Sequence, residues 1–287
     1  MTPGILNASV VKRLIPKRPA TSQKGANGHL LIIAGSRAMT GAAYLSALGA
    51  LKVGAGLVTV GGPESVRNII AERLPEAMTL TLPESAGGYL SSGATQGIKQ
   101  YVRRRTITTL AAGPGLSVHP SIRSVITFLL TTNLPMVLDA DGLNNIKPLD
   151  IKDKPIVITP HPGELARLLG TNTRKVQADR SAIAKGTAKS LNIVCVLKGH
   201  KTVVSDGKRT AINSTGNSAM ATGGMGDVLT GVIAGLLAQG LSLFDAACAG
   251  VYLHGLAGDI AKVSDRGLLA SELANGVPKA LKKIGIS

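Results

Sequence analysis

The chain has no tryptophan, only two phenylalanines and only four tyrosines in 287 residues. A protein so poor in aromatics lacks the stacking platforms that hold single-stranded nucleic acid. Its hydrophobic fraction of 44% must come from alanine, valine, isoleucine and leucine, which suits helices packed closely on a parallel sheet. Acids are scarce as well: 16 Asp and Glu stand against 32 Lys and Arg, a formal charge of +16. The basic residues are scattered rather than gathered, with Lys12, Arg13, Lys17 and Arg18 near the start, Arg103, Arg104 and Arg105 in the middle, and Lys279, Lys282 and Lys283 at the end. That distribution fits a field that attracts small phosphorylated anions and keeps the protein dissolved, with no nucleic-acid partner.

Cysteine is nearly absent too. Cys195 and Cys248 each sit inside an apolar stretch, and neither a metal-ligand spacing nor a disulfide framework exists. Free buried thiols point to a reducing, cytoplasmic location. Residues 1–23 contain no apolar segment of the kind a secretory signal requires, and read as an extension at the start of one domain covering 1–287. The longest apolar stretch, 228–243, is interrupted by Gly231, Gly235, Gln239 and Gly240 and is short for a span, so it reads as a buried helix and no membrane is expected.

What is present alternates. Apolar strand-like runs at 29–36, 56–62, 108–115, 135–143, 155–164 and 192–199 are interleaved with helical patterns at 40–55, 64–74 and 120–133, and with one amphipathic helix at 173–192. A hairpin follows, turned by "SDGK", and the chain is mostly helical beyond Gly226. Buried strands alternating with helices predict an α/β sandwich with a mainly parallel sheet, which binds ligands beyond the carboxyl ends of its strands. Most of the polar or glycine-rich turns lie there: "AGSRAMTG", "AAGPGLS", "DADGLN", "TPHPGE" and "LKGHKT".

The segment "TGGMGDVLTG" carries the chemistry. Between Gly207 and Phe244 its Asp227 is the only acid. Glycines ahead of a helix let several N–H groups converge, and the first turn adds unpaired donors and the positive end of the dipole, which makes an anion hole. A carboxylate beside such a hole suits proton abstraction from a hydroxyl while the donors hold a migrating phosphoryl group. The plainer alternative is an acid favoured by the helix dipole.

That segment resembles the glycine-rich signature of the ribokinase-like superfamily. Together with "TGAAYLSALGALKVGAGLVTV", "AAGPGLS", "VLDADGLN", "ITPHPGELARLLG" and "VLKGHKTVV", in that order, the chain resembles the ADP/ATP-dependent NAD(P)H-hydrate dehydratase family from about Lys24 to near the C-terminus. The resemblance implies a ribokinase-like three-layer α/β/α sandwich. It also implies the dehydration of hydrated NADH or NADPH, in its S form, through phosphorylation of the ring hydroxyl by ADP or ATP and loss of phosphate. Asp227 would be the catalytic base, with an anion hole at Gly224, Met225 and Gly226. Lys198, Gly199, His200, Lys201, Thr202 and Gly226 would meet the nucleotide. Ala43, Gly115, His161 and Asp227 would meet the hydrate.

Asp139, Asn144 and Glu164 form a second tier: Asp139, Asn144 and the neighbouring Asp141 either orient substrate or hydrated Mg2+ or merely cap the following segment, and Glu164, in a loop fixed by prolines, is equally a first-turn acid of the next helix; the metal ligands stay unassigned. Small size at Ala43 and Gly115 is equally what ordinary packing requires, and His200 and Lys201 equally suit a plain turn. Those two residues are bulkier and more basic than the small ones expected of the family. The resemblance further implies Mg2+ with the nucleotide, a separate epimerase as pathway partner, and a homo-oligomer, a tetramer. A ribokinase-like kinase of a vitamin precursor is the competing reading.

Overall fold

In the computed structural model, which describes residues 4–286, the run His29–Ile33 is a strand buried along its whole length. Alternate side chains of a strand face opposite ways. Leu30 and Ile32 accordingly join one hydrophobic core and Leu31 and Ile33 another, on the two faces of a single sheet. Two cores about one sheet make three layers, the sandwich expected from the sequence.

In chain order the elements are β1 (Gly4–Ile5), α1 (Ala8–Leu14), β2 (His29–Ile33), α2 (Thr40–Lys52), β3 (Leu57–Gly62), α3 (Glu64–Arg73), β4 (Met78–Thr81), α4 (Ala94–Arg104), β5 (Thr109–Ala112), α5 (Pro120–Thr131) and β6 (Met136–Leu138). There follow α6 (Asp141–Asn144), β7 (Ile156–Ile158), α7 (Pro162–Leu168), α8 (Thr173–Ala178), α9 (Arg180–Leu191), β8 (Val194–Leu197), β9 (Val203–Ser205), β10 (Thr210–Ile212), α10 (Met225–Ala238), α11 (Leu243–Ala261) and α12 (Ala270–Lys283). The strands form one ten-stranded sheet in the order β1-β10-β9-β8-β7-β6-β5-β2-β3-β4. β9 runs antiparallel to both neighbours and the other pairings are parallel. The order reverses between β2 and β5, and the turns after β2, β5, β6, β7 and β8 share one end of the sheet.

Helix α10 is buried along most of its length. It lies so close to α2 that a Cβ on Gly231 would stand 1.9 Å from the Ser46 carbonyl oxygen, and one on Gly49 would stand 2.5 Å from that of Val228. The small residues read from the sequence are thus what lets α10 settle against α2, with its first turn at the strand ends. No helix among the described residues is long and apolar enough to cross a membrane.

Three departures from the sequence reading stand out. The helix expected over 173–192 is two, because Asp179 leaves the helical conformation and its side chain caps α9 by accepting the Ala182 N–H. Strand β4 and helix α4 occupy a region given no elements above. The amino-terminal segment is woven in rather than appended: Leu6, Val11 and Ile15 are buried in one core, and β1 pairs with β10. Both cysteines are free and buried; Cys195 lies on β8, where burial pushes its thiol up to about 12.

Candidate active site

Helix α10 begins at Gly224, whose φ of 87° is left-handed and whose hydrogen in place of a Cβ admits Leu45, 2.5 Å from where that carbon would be. No side chain caps this start, so the first-turn N–H groups keep their donors and the positive end of the dipole is open. Gly224, Met225 and Gly226 therefore form the uncapped turn that the sequence suggested, with Asp227 in the first turn.

Asp227 is half-buried, and burial raises its carboxyl to about 7; the charge of Asp139 adds to the rise, Lys198 opposes it and Asp141 adds a little more. Its neighbours are firmly tied. The Lys198 ammonium donates to Asp139 Oδ1 at 2.6 Å and lies 3.8 Å from Glu164 Oε2. Thr230 Oγ1 donates to the other oxygen, Oδ2, at 2.8 Å. One buried carboxylate thus joins β6, the end of β8 and α10. Burial draws the Lys198 ammonium down, but the charges of Asp139 and Glu164 outweigh it, so it stays charged and above its usual range. A Cβ on Gly226 would stand 3.4 Å from Lys198 Nζ, so the ion pair abuts the uncapped turn.

The remaining sequence-expected residues fall around this centre. His161 caps α7: its Nδ1 accepts from the Gly163 N–H at 3.0 Å and the Glu164 N–H at 3.3 Å. Glu164 returns the contact, accepting the His161 N–H at 2.8 Å, so the first-turn reading of Glu164 holds and its approach to Lys198 is additional. Ala43 is fully buried with its methyl facing Gly35, and Gly115 lies against Met39 and Ala42 at the start of α2. Asn144 is drawn into local structure, donating to Asp141 Oδ1 and accepting from Arg167 Nε. In the turn 198–202, Thr202 Oγ1 donates to the Gly199 carbonyl, and His200 and Lys201 are exposed.

Three features escaped the sequence reading. Thr230 carried a signal, since it stands three residues after Asp227 on one helix face. Ala140, between Asp139 and Asp141, has φ 47° and ψ −121°, a strained backbone of the sort that gathers at functional sites. His254 on α11 is buried and its Nε2 lies 2.9 Å from the Met225 carbonyl oxygen. Burial pushes its ring down to about 4, so at neutral pH it is uncharged and donates that bond.

Comparison with known proteins places the whole chain. The profile of a family described as NAD(P)H-hydrate dehydratase matches residues 30–279. The chain belongs to the NAD(P)H-hydrate dehydratase family. It is 43% identical to the bifunctional NAD(P)H-hydrate repair enzyme Nnr of Moorella thermoacetica, an alignment that takes in 98% of this chain but 54% of the relative, so the chain spans about half of that protein. Against the ADP-dependent (S)-NAD(P)H-hydrate dehydratase of Neisseria meningitidis serogroup B the identity is 39%, covering 90% of this chain and 86% of the other. The crystal structure of the Bacillus subtilis ADP/ATP-dependent NAD(P)H-hydrate dehydratase, co-crystallized with ATP/Mg2+, superposes with a TM-score of 0.85 at 33% identity over 99% of both chains. Arabidopsis thaliana ribokinase shares the fold, with a TM-score of 0.58 at 15% identity over 89% of this chain and 99% of that one. The dehydratase family thus has the ribokinase-like architecture here.

The Bacillus subtilis protein was co-crystallized with ATP/Mg2+, which raises the question of a metal. Among the described residues no group of three His, Cys, Asp or Glu side chains could hold a metal ion. Both oxygens of Asp139 are already taken by Lys198 and Thr230. These residues do not build a protein cage for magnesium.

Proposed function

We propose that this chain is a nucleotide-dependent dehydratase that returns the S form of hydrated NADH or NADPH to the reduced dinucleotide, with ADP, or alternatively ATP, as phosphoryl donor. The observation that carries the reading is a carboxyl raised to about 7 at the uncapped start of a buried helix, beside a buried ion pair. Hydroxide is a poor leaving group from the reduced ring, and phosphate is a good one. Asp227 takes the proton of the ring hydroxyl, and the freed oxygen attacks the terminal phosphorus. The bond from phosphorus to the nucleotide breaks, leaving AMP from ADP. The amides of Gly224, Met225 and Gly226 meet the charge that gathers on the moving phosphoryl oxygens. Phosphate then departs with its bonding electrons as the neighbouring ring carbon gives up a proton to water, and the ring double bond is restored.

In this reading Lys198, Gly199, His200, Lys201, Thr202 and Gly226 border the nucleotide, while Ala43, Gly115 and His161 border the hydrate. Asp139, Asn144 and Glu164 act from behind, Asp139 by fixing Lys198 beside the anion turn. Magnesium, where used, enters on the phosphates of the nucleotide, as that ion commonly does. We further propose a cytoplasmic homotetramer. An NAD(P)H-hydrate epimerase, as another protein or as a segment beyond this chain, would supply the correct stereoisomer; bifunctional relatives of nearly twice the length are consistent with that.

The test is NADH absorbance regained from NADH hydrate in the presence of ADP, and separately of ATP. Asp227→Asn should still bind ADP but lose turnover by roughly a thousandfold or more, as removal of a catalytic base does. Undiminished turnover in that variant, or a wild type that regains no NADH yet phosphorylates a vitamin precursor, would reverse the conclusion.

A further inference from the structure

Arg180, the first residue of α9, makes no ion pair among the described residues. Its guanidinium is spent on backbone instead. Nη2 donates to the carbonyls of Leu197 at 2.9 Å and Lys198 at 3.0 Å, and Nη1 donates to that of His200. These three carbonyls belong to the end of β8 and to the turn after it.

A trans peptide holds its C=O and the following N–H in opposite directions, and no cis peptide occurs among the described residues. Turning the Lys198 and His200 carbonyls toward Arg180 therefore turns the N–H groups of Gly199 and Lys201 to the other side. Neither N–H donates to another group among the described residues, whereas the Lys198 N–H, opposite the Leu197 carbonyl, reaches the Pro160 carbonyl at 2.9 Å. The backbone pays for this alignment with left-handed conformations at Gly199, φ 135°, and Lys201, φ 54°. Free N–H groups aimed to one side make a concavity that suits an anion.

Resting on the dehydratase reading above, we infer that Arg180 is a positioning residue: by gathering three carbonyls on its own side it presents the Gly199 and Lys201 amides of the turn 198–202 to the phosphates of the nucleotide. Arg180 touches no reacting atom in this scheme. Its signature is therefore a loss confined to the nucleotide.

The experiment compares wild type, Arg180→Met, Arg180→Lys and Gly199→Ala, using calorimetric titration with ADP and the NADH-regeneration assay with each substrate varied in turn. In Arg180→Met, Kd and KM for ADP should rise about tenfold or more while KM for the hydrate moves less than about twofold, the scale of weakening amide hydrogen bonds to a charged phosphate. Arg180→Lys, which keeps the charge but not the fork, should fall between. Gly199→Ala keeps Arg180 but sets a Cβ 3.1 Å from its Nη2 at a φ that alanine resists, and should show the same selective loss. Wild-type ADP affinity in Arg180→Met, or losses shared equally by ADP and hydrate, would overturn the inference. Should Arg180→Met fail to fold, Gly199→Ala decides in the same way: selective loss supports it and unchanged ADP affinity overturns it. A wild type that neither binds ADP nor regains NADH overturns the dehydratase reading itself and this inference with it, a result distinct from an active wild type matched by Arg180→Met.

Discussion

Four carboxylates stand near the start of α10, and what touches each separates their roles. Asp139 is held by Lys198 and Thr230, Glu164 by the His161 N–H, and Asp141 by the Ser117 N–H at 2.8 Å. Asp227 receives no such bond among the described residues, and burial keeps its proton to about 7. If Asp227 is the base proposed above, it works only once that proton is lost, so kcat/KM for NADH hydrate should climb as pH rises through about 7. The negative charge of Asp139 supports the raised value, so Asp139→Asn should move this limb to lower pH. Profiles of kcat/KM from pH 5.5 to 9 at saturating ADP check both statements, and a limb that stays in place removes Asp139 as an influence on the base. Asp227 was legible in the sequence because it is a lone acid behind glycines. His254 and Arg180 were not, since each acts on backbone carbonyls that only the folded chain brings near; 29 residues separate His254 from Met225.

At the scale of elements, the uncapped turn proposed to hold phosphate depends on the path by which α10 is entered. Gly224 supplies both a left-handed φ and room for Leu45. Gly224→Ala should cost about 2 kcal/mol from backbone strain and crowding, and should weaken ADP binding as well. Urea unfolding of wild type and variant, with and without ADP, measures both, and an unchanged midpoint would show that another entry to the helix is available. Strand ends were easy to read because a parallel sheet keeps its strands apolar and leaves its polar residues for the turns. The break at Asp179 was harder, because the apolar spacing runs through it and only the cap on Ala182 interrupts the helix. The unread α4 is amphipathic, with Ala94 and Ile98 inward and Arg103 and Arg104 in its last turn, so its signal was present.

For the molecule as a whole, the imbalance of charge should act on encounter rather than on chemistry. A protein of net +16 draws in phosphorylated ligands from a distance, and salt screens that attraction. Raising KCl from ~20 to ~300 mM should lower kcat/KM for ADP severalfold while kcat holds nearly constant. Stopped-flow or steady-state rates across that range test it, and a salt-independent kcat/KM would assign the charge to solubility alone. Three layers, two cores and a shared end for the working turns followed from strand–helix alternation. The order of the ten strands and the woven amino terminus did not, because pairing between distant segments leaves little trace in local pattern. The two hidden thiols, Cys195 in the sheet and Cys248 in the helical layer beside it, give this tryptophan-free protein an intrinsic clock. Alkylating reagents reach a sealed sulfur only while its surroundings part, so the pace of modification at each counts separate breathing events, and any slowing when a nucleotide is added reads out how far that ligand quiets each layer.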